Sequence, residues 1–253
     1  MRFLRRHFLG LAVAAAAVAS LAPAVQAAGT VNAAVAANFT QVATDLAAKF
    51  KAKTGNDVRL SFGATGALYT QITQAAPFDV FLSADDKRTG VAIKDGFGVD
   101  GTEFTYAIGK AALYSPTVDV TDGEAVLKAN AFQHISIADP KAAPYGAAGM
   151  AVLDKLGLTD AVKPKIVTAE NITQAQQFVD SGNAEVGFVA LSQVIGKPAT
   201  QVWLPPQDDY PVIAQNAVLL KVGADNQAAK DFLDYLKSDE AVAVIKAAGY
   251  ETN

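Results

Sequence analysis

The chain contains no cysteine and only two histidines, His7 and His134, which excludes disulfides, thiolate metal sites and cysteine nucleophiles. His134 is the single imidazole beyond the N-terminal segment. It heads an apolar strand-like stretch, HISIAD, where a satisfied structural histidine is expected rather than the base of a serine nucleophile. No Walker-type GKS/T loop, GxGxxG, GxSxG or cluster of metal ligands occurs, so neither an enzyme nor a cofactor is expected. Basic residues are scarce too. With Arg2, Arg5 and Arg6 set aside, 18 Lys and Arg stand against 25 Asp and Glu, a formal charge of −7 for residues 28–253. Such a balance lacks the footprint of a nucleic-acid binder, and beyond the N-terminal segment no apolar run is long enough to span a bilayer.

What is present begins with that segment. Arg2, Arg5 and Arg6 precede an apolar run from Phe8 to Ala22, and small residues at Val25 and Ala27 mark a cleavage point after Ala27. Residues 1–27 are therefore expected to be a signal peptide, with the remainder exported. LRRHFL also resembles a twin-arginine signal, which leaves both that route and the general secretory route open. Residues 28–253 suffice for one large domain or two small ones with their own cores.

Short β-type runs then alternate with amphipathic helices. TVNAAVAA leads to a helix with Phe39, Val42, Leu46 and Phe50 on one face; VRLSF leads to a helix with Leu68 and Ile72; DVFLSA leads to a helix entered through Asp85 and Asp86. This is the pattern of a parallel sheet in an α/β fold. After the long run TEFTYAIGKAALYSP a second alternation starts. HISIAD precedes a helix over 145–156, KIVTAE one over 172–181, and AEVGFVAL leads on to TQVWLP. A second long run, YPVIAQNAVLL, precedes two closing helices over 225–236 and 239–248. The two long runs are expected to cross between lobes and form a hinge. That gives a discontinuous first lobe of 28–107 plus 214–253 and a second of 108–213.

In open parallel sheets ligands bind beyond the carboxyl ends of the strands, so the junctions there carry the chemistry. They read AANFT, GATGA, DPKAAPYGAAG and AENITQ. Their residues are small and neutral, which lets backbone amides of helix first turns reach an anion. Asn38 and Thr65 add side-chain donors or act as helix caps, Tyr145 adds a phenol or packs, and Ile172 adds a backbone amide or fills the core. Asp85 and Asp86 are expected as a cap and a first-turn acid, and Lys141 as a solvated cation. A site of donors only suits a fully deprotonated dianion, whereas the hydroxyl of hydrogen phosphate needs an acceptor. Sulfate, molybdate and tungstate meet that condition.

The ordered set AANFT, SFGATGALYTQI, APFDVFLSADD, ADPKAAPYG, AENITQAQ and DFLDYLKSDEA closely resembles periplasmic molybdate-binding proteins across nearly all of residues 28–253. The resemblance implies the type II periplasmic binding fold: two lobes joined by two crossover strands. It implies a monomeric periplasmic receptor for molybdate, with tungstate bound comparably, that serves a membrane permease and its cytoplasmic ATPase. The alternatives are a receptor of the same fold for sulfate or another oxyanion, and an α/β enzyme acting on a phosphorylated substrate. Carried over by position, the ligand-binding residues are Ala37, Asn38, Thr65, Tyr145 and Ile172, with no protein ligand bonded to the metal of the anion. Where some members place a tyrosine this chain has Ala190, and Tyr145 stands where those members have alanine. This implies a relocated phenol donor, as in another branch of the family.

Overall fold

A computed structural model describes residues 28–252; the expected signal peptide lies outside the described residues. Two five-stranded mixed sheets form the frame. The first has the order β2-β1-β3-β10-β4, with β1 (Thr30–Ala36), β2 (Asp57–Gly63), β3 (Val80–Leu82), β4 (Phe104–Gly109) and β10 (Ile213–Leu219). The second has the order β7-β6-β8-β5-β9, with β5 (Ala111–Tyr114), β6 (Ile135–Ala138), β7 (Ile166–Ala169), β8 (Val186–Ala190) and β9 (Val202–Trp203). In each sheet three neighbouring strands run parallel and a fourth, β10 or β5, runs against them. That antiparallel strand is in each case the one that has just arrived from the other sheet.

Helices α1 (Thr40–Thr54), α2 (Thr65–Thr73) and α3 (Lys87–Lys94) follow the first three strands. On the second sheet lie α4 (Gly123–Ala129), α5 (Pro144–Lys155), α6 (Thr159–Val162), α7 (Ile172–Asp180) and α8 (Leu191–Val194). The closing helices α9 (Gln227–Leu236) and α10 (Asp239–Ala247) return to the first. Both faces of each sheet are covered, which is why the strands read as continuous apolar runs. On β1, Val31, Ala33 and Val35 pack with Leu46 and Phe50 of α1 and Phe232 of α9, while Ala34 faces Leu68 and Ile72 of α2. The second sheet repeats this, with Ile137 and Phe188 against Val152 of α5 on one face and Tyr114 and Val189 against Val179 of α7 on the other. No helix among the described residues is long and apolar enough to cross a membrane.

The chain changes sheet between Gly109 and Ala111, and returns at Ile213, which pairs with Gly109. Gly109 is required at this crossing, because a Cβ there would lie 2.0 Å from the Tyr145 hydroxyl. Several local expectations shift. The long run TEFTYAIGKAALYSP is two strands broken at Lys110, and TQVWLP pairs over two residues only. The helix expected from residue 225 starts at Gln227, where the Asn226 side chain accepts from the Ala228 amide and so sets the start. Asp85, not Asp86, bonds the first turn of α3, accepting from the Arg88 amide and pairing with the Arg88 guanidinium. His134 is exposed, and it is its backbone amide, donating to Glu185 Oε2, that ties it to the fold.

Helix α5 enters against the end of β6 with no clearance: a Cβ on Gly146 would sit 1.9 Å from the Ala138 carbonyl oxygen. Gly90, inside α3, has nothing within 4 Å of the same atom. Gly146→Ala should therefore destabilise the fold by about 1–3 kcal/mol through overpacking. Gly90→Ala should stabilise it by up to about 1 kcal/mol through helix propensity. Urea midpoints of the two variants against the unaltered protein check both signs.

Candidate ligand-binding site

The carboxyl ends of β1, β2 and β3 in one sheet face those of β6 and β7 in the other. Between them lies a small cavity lined by Ala36, Ala37, Asn38, Gly63, Ala64, Thr65, Ala84, Ala143, Pro144, Tyr145 and Ile172. Its free volume is about 10 Å³, the threshold for a single water-sized group. All five residues singled out from the sequence line it. They come from four chain segments that begin a helix: the 3₁₀ turn Ala37–Phe39 ahead of α1, and the first turns of α2, α5 and α7. First-turn amides have no partner inside their own helix, so each segment brings donors to the same space.

A larger groove of about 730 Å³ opens beside the cavity and shares Ala84 and Pro144 with it. Asp85, Asp86, Lys87, Arg88 and Lys141 give that groove charges of both signs, whereas no charged side chain lines the small cavity. No group of His, Cys, Asp and Glu among the described residues could hold a metal ion.

The side chains refine the sequence-based picture. Asn38 is not free to donate: its amide gives one hydrogen to Gln215 Oε1 at 2.8 Å and one to the Tyr250 hydroxyl at 2.9 Å. Only its backbone amide remains for a guest. Neither Asn38 nor Thr65 caps a helix with its side chain. Thr65 Oγ1 accepts from the Ala84 amide at 3.1 Å, which leaves its hydroxyl hydrogen free. Tyr145 is buried, and its hydroxyl accepts from Gln215 Nε2 at 3.2 Å. Burial pushes its pKa well above the ordinary value, helped by the neighbouring phenols Tyr250 and Tyr106, so it stays a proton donor. Ala190 is buried in the pairing of β8 with β5 and is not among the cavity residues. Lys141 is exposed, and its carbonyl oxygen, not its charge, faces the first sheet, accepting from Arg88 Nη2 at 2.6 Å.

Gln215, Tyr250, Tyr106 and Ser192 form the support of this site and were not singled out from the sequence. Gln215 alone left a signal, as an amide inside the apolar run VIAQNAVLL. Phe39 packs edge-on beneath them, with ring centroids 4.8 Å from Tyr106 and 5.4 Å from Tyr250. Contacts between the two sheet units ring the cavity. Gly66 N donates to Ala142 O at 2.8 Å, Thr173 Oγ1 to Ala37 O at 3.2 Å, and Ser192 Oγ to Asn38 O at 3.2 Å.

Residues 31–251 match the family model described as bacterial extracellular solute-binding protein. The chain belongs to this family. As a solute-binding protein it is 53% identical to a molybdate-binding protein, ModA, of Rhodobacter capsulatus, over 89% of this chain and 90% of that one. The solved periplasmic molybdate-binding protein of Azotobacter vinelandii superposes with a TM-score of 0.84 at 41% identity, covering 88% of this chain and 99% of that one. The fold is thus the type II periplasmic binding fold. The sulfate-binding protein SubI of Mycobacterium tuberculosis shares the fold at 16% identity and a TM-score of 0.69, covering 88% of this chain and 86% of that one.

Tyr106, Tyr145 and Tyr250 all have raised pKa values, with burial the largest cause. In the unfolded chain these phenols ionise near 10, while in the folded solute-binding protein they hold their protons. The unfolded state thus loses protons first, and stability, full below pH 10, should fall as pH rises beyond it. Urea midpoints from pH 8 to about 11.5 should show this, and Tyr145→Phe should flatten the decline.

Proposed function

We propose that this solute-binding protein is an exported receptor for molybdate, that it binds tungstate comparably, and that it delivers the anion to a membrane permease driven by a cytoplasmic ATPase. The observation that carries the reading is the cavity: neutral donors from four helix starts, with no carboxylate among its lining residues. A dianion without a proton needs donors only, whereas hydrogen phosphate requires an acceptor. The names of the relatives from Rhodobacter capsulatus and Azotobacter vinelandii support molybdate as that dianion. Sulfate meets the same proton condition, so its rejection rests on size, the larger anion reaching donors spaced further apart. The bound anion touches the protein through its oxygens, with no protein atom bonded to Mo or W.

The proposal includes two lobes, 28–107 with 214–253 and 108–213, that hinge at the two crossings and close over the ligand in a monomer. Each hydrogen bond to a charged oxygen is worth on the order of 1.5–3 kcal/mol, so several converging ones sustain tight binding without a cation.

Calorimetric titration of the protein lacking residues 1–27 tests the reading. Molybdate and tungstate should bind at a single site, and sulfate and phosphate far more weakly. Heat with none of them, or with phosphate alone, would overturn it. Tyr145→Phe should weaken molybdate about tenfold or more while the urea midpoint at neutral pH stays close to that of the unaltered protein. Unchanged affinity would return Tyr145 to a packing role.

A further inference from the structure

We propose that Gln215 is a specificity-determining residue of the site: by donating to the Tyr145 oxygen it obliges the phenol to offer its hydrogen to the cavity, which withholds the phenol as an acceptor and disfavours protonated oxyanions. This rests on the oxyanion-receptor reading above. Gln215 is fully buried on β10, at the place where the pairing with β4 slips from Ala107 to Thr105 and leaves Tyr106 as an extra residue. A bulge of this kind re-aims side chains, and here the Gln215 amide reaches the Asn38, Tyr106 and Tyr145 side chains behind the cavity.

The direction of each hydrogen bond follows from a backbone carbonyl, which can only accept. Tyr250 gives its single hydrogen to the Asn38 carbonyl oxygen at 2.9 Å. The Tyr250 oxygen must then accept from the Asn38 side-chain amide at 2.9 Å, while Ser192 Oγ, which donates to the same Asn38 carbonyl, lies 2.9 Å from it. That turns the second Asn38 hydrogen to Gln215 Oε1 at 2.8 Å, which leaves Gln215 Nε2 facing Tyr145 Oη at 3.2 Å. Tyr145 therefore accepts on this side. Within 3.5 Å the Tyr145 hydroxyl has no other hydrogen-bond partner among the described residues, and its own hydrogen is directed to the cavity that Tyr145 lines. The Tyr145 oxygen therefore presents no lone pair there for a hydroxyl on the guest.

The inference separates direction from packing. Gln215→Met keeps the volume and removes the donor, so molybdate affinity should fall about tenfold, and by less than about twofold further when Tyr145 is already Phe. Gln215→Glu should add a pH dependence that the unaltered protein lacks. The groups facing that carboxyl are the phenols of Tyr106, Tyr145 and Tyr250; Asp85 acts on it across Tyr106, and Tyr210, flanked by Lys110 and Glu251, lies beyond Tyr145. Protonated, the carboxyl donates to Tyr145 as the amide does. Ionised, it accepts the phenol's hydrogen and turns a lone pair to the cavity, so molybdate affinity should fall and hydrogen phosphate affinity rise as pH increases from about 6 to 9. Calorimetry with both anions reads this out, with far-UV circular dichroism checking that each variant folds. Should the Met variant not fold, the Glu variant carries the test alone. Equal losses for Gln215→Met with Tyr145 and with Phe in its place, or a Glu variant that follows the unaltered protein across pH, would overturn the inference while leaving molybdate binding intact. No molybdate binding by the unaltered protein would overturn the receptor reading and this inference with it.

Discussion

An anion taken out of water must have its hydration replaced bond for bond, and the first turn of a helix is where a chain has amide hydrogens with no other use. The architecture follows from bringing several such turns to one point. A single parallel sheet aims the starts of its helices outward from one edge. Two sheets with matching order, β2-β1-β3-β10-β4 and β7-β6-β8-β5-β9, aim them at each other. The price is steric, since backbones must approach closely at the meeting point. Ala36, Ala37, Gly63, Ala64, Ala84 and Ala143 around the cavity, and Gly66 and Gly109 beside it, keep that approach open.

Much of this was legible in the chain. The fold class could be read from strand and helix periodicity, because strands buried on both faces, such as VFL in β3 and ISIA in β6, leave unbroken apolar runs. The cavity residues could be read because small residues at four strand-to-helix junctions are an unusual recurrence. What stayed hidden was the state of each side chain. Asn38 has the composition of a donor, yet its partners are 177 and 212 positions away, at Gln215 and Tyr250, and no local pattern announces such a contact.

The hidden layer is also the costly one. Asn38, Gln215, Tyr106, Tyr145 and Tyr250 put five polar side chains into a region that is otherwise Phe39 and aliphatic packing. Such a group is tolerated only when each member is bonded, and a partly satisfied set is worse than an apolar one. Here the bonds run in one direction from a backbone carbonyl, so removal of one member disturbs the proton positions of the rest. A rigid set of this kind suits a binding site because its donors are oriented before a ligand arrives. It also explains why residues near the C-terminus matter: Tyr250 holds the first loop, and Glu251 pairs with Ile108 at the crossing.

A receptor must release what it binds, and the chemistry of the contacts between the two units bears on this. Except for Arg88 on the Lys141 carbonyl, the bonds that ring the cavity join neutral groups, Gly66 to Ala142, Thr173 to Ala37 and Ser192 to Asn38. Each such bond is worth about 0.5–1.5 kcal/mol net, because open lobes would give the same groups to water. These contacts alone therefore contribute little to holding the two units together. On the proposed reading the anion supplies the larger share, through charge-assisted bonds contributed from both sides. A guanidinium inside the cavity would tighten binding, but would hold the anion to one lobe in the open form as well. On that reading, neutral donors divided between lobes would lose half their number as the lobes part, and opening itself would be the release step.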